Sequence, residues 1–336
     1  MSATLKYECV NSRALSDRHV EEWHALLSAT TEFRSPFFRA EYAITVGEVR
    51  PVDVCLAWNG QSLAAVFPFE RENEFTGRPV GGPLSNFQGV VAAPGTEWEM
   101  EPFLRAARLE RLHFHHQLAS QPQFQAYAST TAGSPFMDVS DGWSAYLAAR
   151  AAAGVKRFNA FPRELRRLER ELGAVTFAPH STRPEDFAQL LEWKRAQYAR
   201  TETRGSLQLD WVVQTFHRLL ALQSAEFAGL LSCMYAGETL IAAHAGIRSD
   251  TELHYWFPAY DPAVARHSPG LFLLLDIGQW AAASGIRTIN LGKGESQYKS
   301  WFASAAVDVS VGQIVSARAP GLLGRLSERL LGQRNS

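Results

Sequence analysis

Apolar and polar positions along the chain switch between a period of two and a period near 3.6. Leu5–Val10 has a short strand pattern. Ser16 precedes a helical pattern with Val20, Trp23, Leu26 and Leu27 on one face. Ser35–Phe38 opens a short helical or loop piece. Val52–Trp58 and Ser62–Phe69 are apolar runs joined through Asn59-Gly60, a strong hairpin signal. Gly77–Gly95 carries Gly, Pro and Asn without periodicity and predicts a loop. Glu97–Leu118 predicts a helix and Phe124–Thr130 a strand. Gly133-Ser134-Pro135 predicts a break, and a domain boundary is placed near it.

Beyond that break, Trp143–Ala153 and Lys156–Leu172 read as helices, with Pro162 at the first turn of the second. Val175–Pro179 is a strand pattern; Glu185–Arg200 and Leu209–Leu222 are helical. Phe227–Tyr235, Thr239–Arg248 and Glu252–Tyr260 are β-favouring runs whose connectors suit only antiparallel hairpins. After the polar loop Asp261–Ser268, Ser268 is a good N-cap and Pro269 suits the first helical position. The helix Pro269–Ala283 is apolar almost all round and should be buried. Thr288–Leu291 follows it and can return parallel to the strand before the helix. Val307–Ala317 is a last strand. Leu322, Leu323, Leu326, Leu330 and Leu331 then form one side of an amphipathic tail. The halves share an outline of helices, hairpin, loop and helix, which suggests an internal duplication. The divisions are 1–137, 138–318 and the tail 319–336.

The 336 residues suggest two domains, and 46% hydrophobic content excludes wholesale disorder. A net charge of −1 argues against duplex nucleic acid and against steering to an anionic membrane. No apolar run is long enough to span a bilayer, and the first thirty residues lack a secretory signal pattern. Cys9, Cys55 and Cys233 are odd in number, far apart in sequence and without CxxC spacing. They predict no disulfide framework, no Cys-based zinc site and a reducing cytoplasm. The tail docks on the body or makes peripheral membrane contact.

Several residues could carry chemistry. Arg266-His267-Ser268 delivers the chain to a helix N-terminus, whose free N–H groups and dipole suit a pyrophosphate or carboxylate, with Gly270 beside them. The plain alternative is a helix cap and a solvated arginine. Gly292-Lys293-Gly294-Glu295 follows a strand but lacks Walker spacing. Glu295 and Lys299, four apart, form a simple ion pair, or act as general base and charge-neutralising group. His244 and His254 lie in strands where either can be an acid, a base or a core residue. Tyr255 and Trp256 face opposite ways, so one can line a sugar- or acyl-binding surface. His113-x-His115-His116 lacks a completing ligand, so no metal site is expected. The basic helix with Arg157, Arg163, Arg166 and Arg170 is a solvated face with pairs such as Arg167–Glu171, or a shelf for phosphates.

One ordered series stands out: Tyr260-Asp261-Pro262, Ser268-Pro269-Gly270-Leu271, Trp280-Ala281, Gly285, Asn290-Leu291-Gly292-Lys293-Gly294 and Tyr298-Lys299-Ser300-Trp301-Phe302. It resembles the polysaccharide-associated, CelD-like branch of the GNAT acyltransferases, relatives of the Fem peptidoglycan-bridge transferases. The resemblance is stronger over residues 150–305 than over 20–140. It implies an α/β (α+β) fold of two tandem GNAT-like domains, each a mixed, mainly antiparallel sheet flanked by helices. It implies an acyltransferase moving an acyl, chiefly acetyl, group from acyl-CoA to an amine or hydroxyl of a sugar or polysaccharide precursor. Lys299 matches the lysine of an aromatic-Lys-x-x-aromatic segment that the Fem relatives use in the active site. The site assignment is therefore Lys299, Glu295 and His244 for catalysis, Arg266, His267, Ser268 and Gly270 for the donor, and Tyr298 and Trp256 for the acceptor. The usual GNAT phosphate loop is absent, and Pro269 lacks one donor N–H. Two alternatives stay open: an aminoacyl-tRNA donor, and a non-catalytic binding protein in polysaccharide biosynthesis.

Overall fold

A computed structural model describes residues 5–202 and 205–317. The first half contributes β1 (Lys6–Asn11), β2 (Val52–Asn59), β3 (Ser62–Asn73), β4 (Thr76–Arg78), β5 (Val91–Ala92), β6 (Arg111–Leu118) and β7 (Ala128–Asp138). Its helices are α1 (Asp17–Ser28), α2 (Ala40–Gly47), α3 (Met100–Ala106) and the single turn α4 (Pro122–Gln125). The second half adds β8 (Val175–Ala178), β9 (Phe227–Ala236), β10 (Thr239–Ser249), β11 (Glu252–Tyr260), β12 (Thr288–Asn290) and β13 (Ala305–Val315). Its helices are α5 (Trp143–Ala152), α6 (Phe161–Leu172), α7 (Pro184–Arg200), α8 (Asp210–Ala221), α9 (Pro269–Ala283) and α10 (Gln297–Phe302).

All thirteen strands join one mixed sheet, in the order β1-β2-β3-β4-β6-β13-β7-β12-β11-β10-β9-β8, with β5 on β3. The centre of that order is an exchange. The last strand of the first half, β7, pairs antiparallel with β12 of the second. The last strand of the second half, β13, pairs antiparallel with β6 of the first. The two exchanged strands pair with each other. This is the expected two-domain α/β arrangement, with the halves sewn through their middle strands.

Helices cover both faces. In the second half α7 and α8 bury Phe187, Leu190, Val212 and Phe216 against one face of the sheet. On the other face α5, α6 and α9 bury Tyr146, Leu168, Phe272 and Ile277. A strand covered on both sides has no polar face, and all ten residues of β9 are buried.

Most elements fall where the hydrophobic pattern puts them. Ser16 caps α1 reciprocally with His19. Gly60, with φ +63°, starts the two-residue turn between β2 and β3. β12 returns parallel to β11.

Four expectations change. Residues 97–118 are not one helix: α3 ends before Arg108, whose φ is +55°, and β6 follows. There Leu112 and Phe114 are buried while His113 and His115 are not, so the period is two. Gly133-Ser134-Pro135 lies inside β7 and pairs with β13, just before β12 joins the strand's other side from Phe136. Glycine fits because an added Cβ would meet Ala306 at 3.1 Å. Residues 124–125 close the turn α4, and the strand begins only at Ala128. Cys9 and Cys55 stand directly opposite each other on β1 and β2. The tail from 319 lies outside the described residues.

Candidate functional site

β11 and β12 pair only from Glu252 to His254, where Asn290 ends the contact. From Tyr255 to Tyr260, β11 has no strand on that side. The opening coincides with a bulge: Ala245 pairs Phe257 but Ile247 pairs His254, so Tyr255 and Trp256 together oppose Gly246. His244 is fully buried and stacks on Tyr255 at 4.5 Å. Its Nε2 accepts the Trp256 N–H at 3.1 Å. Burial pushes its pKa down to about 3, so the ring stays neutral and keeps that acceptor.

The opening leads into a groove of about 330 Å³ lined by Lys194, Gln197, Tyr255, Tyr260, Ser268, Gly270 and Tyr298, among others. A second hollow of about 290 Å³ shares Gln197, Tyr260 and Ala265 with it and reaches Arg200 and Trp193. One furrow thus runs from the sheet opening outward along α7. Lys194 is only 8% exposed. Its Nζ donates to Gln197 Oε1 at 3.2 Å, and no carboxylate among the described residues pairs with it. Burial therefore brings its pKa down to about 8. Tyr298 is half-buried, and desolvation pushes its hydroxyl up to about 12.

Beside this groove the two halves meet in a polar junction. His254 is buried, with Phe37 of the first half edge-on to its ring at 5.0 Å. Asn290 Oδ1 accepts from Ser134 Oγ at 3.0 Å and from the Gly292 N–H at 2.8 Å, while Asn290 Nδ2 has no partner. Gly292 faces His254 and Asn86. His115 and His116 close the cluster from β6, their Nδ1 atoms 2.9 Å apart. His116 holds a left-handed backbone at φ +52°, unusual for a side chain with a Cβ. Burial and the charges of His115 and Lys293 push His116 down to about 4.

Residues 156–300 match the acetyltransferase (GNAT) domain family. The match covers less than half of the chain, and it supports an acyltransferase. Among solved structures, the chain resembles FemX, at 8% identity and a TM-score of 0.60, over 96% of this chain and 99% of that one. It also resembles a tandem GNAT protein from the clavulanic acid biosynthesis pathway, at 12% identity and a TM-score of 0.54, over 95% and 100% of the two chains. At such identities the likeness is one of fold. No curated protein matches the chain.

Within the matched stretch, the residues chosen from sequence divide between the groove and its surroundings. Ser268, Gly270 and Tyr298 line the groove. Gly270 leaves room there: an added Cβ would touch only Tyr260, at 3.5 Å. Ser268 is not the expected cap, since its φ is +53° and its side chain bonds no helix N–H. Arg266 is drawn away to Glu171 at 3.1 Å and donates to His267 Nε2 at 3.0 Å. Glu171 also holds Arg167 at 2.8 Å, the helical pair read from the spacing.

Lys299 does not pair with Glu295. Its Nζ donates to the carbonyls of Gly292 (2.8 Å) and Lys293 (3.1 Å), tying the turn beside His254. Glu295 is exposed on that turn, ahead of α10. Trp256 packs on Phe37 at 5.1 Å and Phe216 at 5.0 Å, joining the halves.

Lys194 was missed by the sequence reading. Its signal was present: Phe187, Leu190, Leu191 and Lys194 follow the i, i+3, i+4, i+7 stripe, so a cation occupies a core position of α7.

A phosphate-bearing donor lying in the furrow would reach the start of α9. Its phosphates would find few donors at α9: Pro269 has no N–H, and the Leu271 N–H already bonds Ser268 O. Among the described residues Arg200 carries no ion pair and is a cation at the outer end. No group of side chains suited to a metal ion exists among the described residues. No helix among them is long and apolar enough to cross a membrane.

Proposed function

We propose that the protein transfers an acyl group, chiefly acetyl, from acyl-CoA to an amine or hydroxyl of a sugar or polysaccharide precursor in the cytoplasm. The observation that carries this reading is the unpaired stretch Tyr255–Tyr260 opening onto a groove with Lys194 at its base. The thioester carbonyl would lie along β11, where a free strand N–H can take up its developing negative charge. The acceptor nitrogen or oxygen attacks that carbon, and the C–S bond breaks. Lys194, in its neutral form, takes the acceptor's proton and returns it to the departing thiolate.

The groove's lining is rich in hydroxyls (Tyr255, Tyr260, Ser268 and Tyr298) and carries no carboxylate, which suits a neutral, hydroxyl-bearing acceptor. In this reading Lys299 is a positioning residue that fixes the turn. His244 holds the bulge, and Tyr298 lines the acyl end. Arg266 and His267 serve the donor side by shaping the entry to α9. Glu295 and Trp256 frame the acceptor's approach.

Calorimetric titration with acetyl-CoA, followed by thiol-release assays over amino sugars and nucleotide sugars, tests the reading. Saturable donor binding with acceptor-dependent thiol release is expected. If acetyl-CoA gives no heat and an aminoacyl-tRNA does, the donor assignment is replaced. Silence with every donor favours the binding-protein reading.

A further inference from the structure

On the side of α9 facing away from that groove lies a larger hollow, of about 740 Å³, enclosed by α5, α6, β8 and α9. Its walls are aromatic: Trp143, Phe158, Phe161, Phe177 and Trp280. Asp276 of α9 lies in it, partly buried, and makes no hydrogen bond or ion pair among the described residues. We propose that this hollow is a second ligand site, built for a small amphipathic cation in which an ammonium group is carried on an apolar body.

A carboxylate removed from water without a partner is unfavourable, and proteins normally pair or expose it. Asp276 is neither paired nor free in solvent. Desolvation pushes it up to about 6. It contributes nothing evident to the fold.

The charges lining the hollow favour a cation, while Arg163, Arg166 and Arg170 of α6 line a neighbouring hollow that shares Glu169. From α6 the only charged lining residue is Glu169; α5 gives Trp143 and Leu147, and β8 gives Val175 and Phe177. No Lys, Arg or His lines the hollow. Arg157 sits over Phe161 at 4.4 Å but is held by Glu164 at 2.7 Å. Aromatic faces around a carboxylate are the environment in which ammonium groups bind, through ring quadrupoles and direct charge. The volume suits a ligand of drug-like size. The site is separate from the proposed donor groove, because Gly270, Leu271 and Leu274 line one side of α9 and Asp276 and Gln279 the other.

The experiment titrates the full chain with 2-phenylethylamine and phenyltrimethylammonium, reading the fluorescence of Trp143 and Trp280. The neutral 2-phenylethanol and the anionic phenylacetate serve as comparators. Both cations are expected to bind at least about tenfold tighter than either comparator. Asp276→Asn should weaken cation binding by about tenfold or more while keeping the wild-type circular dichroism and melting temperature. Cation affinity should fall as pH is lowered through about 6, where Asp276 takes a proton. Equal binding of amine and alcohol would make the hollow an apolar docking face and overturn the proposal. So would unchanged affinity in Asp276→Asn, or no cation binding in the millimolar range. Acetyl-CoA titration of the same variant separates the two sites: loss of cation binding with intact donor binding touches only this proposal.

Discussion

His244 Nε2 accepts the Trp256 N–H at 3.1 Å, and this bond fixes the bulge from which β11 parts from β12. A buried N–H that loses its acceptor costs about 1–3 kcal/mol. His244→Phe keeps the ring stack and removes the acceptor. It should destabilise the protein by that amount in urea unfolding and weaken acetyl-CoA binding in calorimetry. An unchanged midpoint would mean the bulge is held by other contacts.

Buried histidines lead the pH dependence, opposed in the same range by Glu252, raised to about 7 by burial, and by Asp276. His244, His254 and His116 all have pKa values below the ordinary 6.5 through burial. At these histidines the unfolded chain therefore takes up protons first as pH falls below about 6.5, and stability declines from there. The slope is at most about 1.4 kcal/mol per pH unit for each group. Melting temperatures measured from pH 7.5 to 4.5 should fall, and His116→Gln should flatten the fall.

Lys194 should set the acid-side limb of activity. With a pKa near 8, it is a neutral amine in the upper part of the assay range, so kcat should rise with pH and level off above about 8. Lys194→Arg, permanently charged, should lose about 100-fold or more in thiol release while still binding acetyl-CoA. Full activity in that variant would exclude the lysine as the base.

Lys299 acts through the turn it ties. Lys299→Met removes the donor to both the Gly292 and Lys293 carbonyls. Turnover should drop by up to about 100-fold through misplacement of the site, with the fold retained by circular dichroism. Lys299→Arg, which can still donate, should recover part of it. No recovery would point to a direct role for the amine.

Cys9 and Cys55 invite an oxidation test. Residues directly opposed on antiparallel strands have Cα atoms about 4.5–5.5 Å apart, within disulfide range. The nearby Cys9 thiol and burial raise the Cys55 pKa, so the thiolate is scarce. Diamide should form the bond slowly, visible as a loss of about two mass units, and Cys9→Ser should abolish it.

Much of the second half was legible because its signals are local. Turn residues between apolar runs, Pro269 at a helix start and the all-round apolar helix each carry their own instruction. The GNAT resemblance rested on those same segments. What stayed hidden depends on partners distant in sequence. Pro135 reads as a break until β13 pairs with it, and the strand formed by His113–His116 shows only once β13 supplies its neighbour. Lys299 looks like a free cation until the carbonyls of Gly292 and Lys293 come into reach. Lys194 was visible as an anomaly on an apolar stripe, but only burial and the groove give it meaning.

The crossed pairing of β7 with β12 and β13 with β6 has a practical outcome for dissection. A polypeptide cut after Asp138 yields two fragments, each missing the neighbour that its own inner edge requires. Neither piece should be soluble alone. Co-expressed, they should reassemble as a non-covalent pair that melts in a single transition, and the acyltransferase half should have no life of its own as an isolated product.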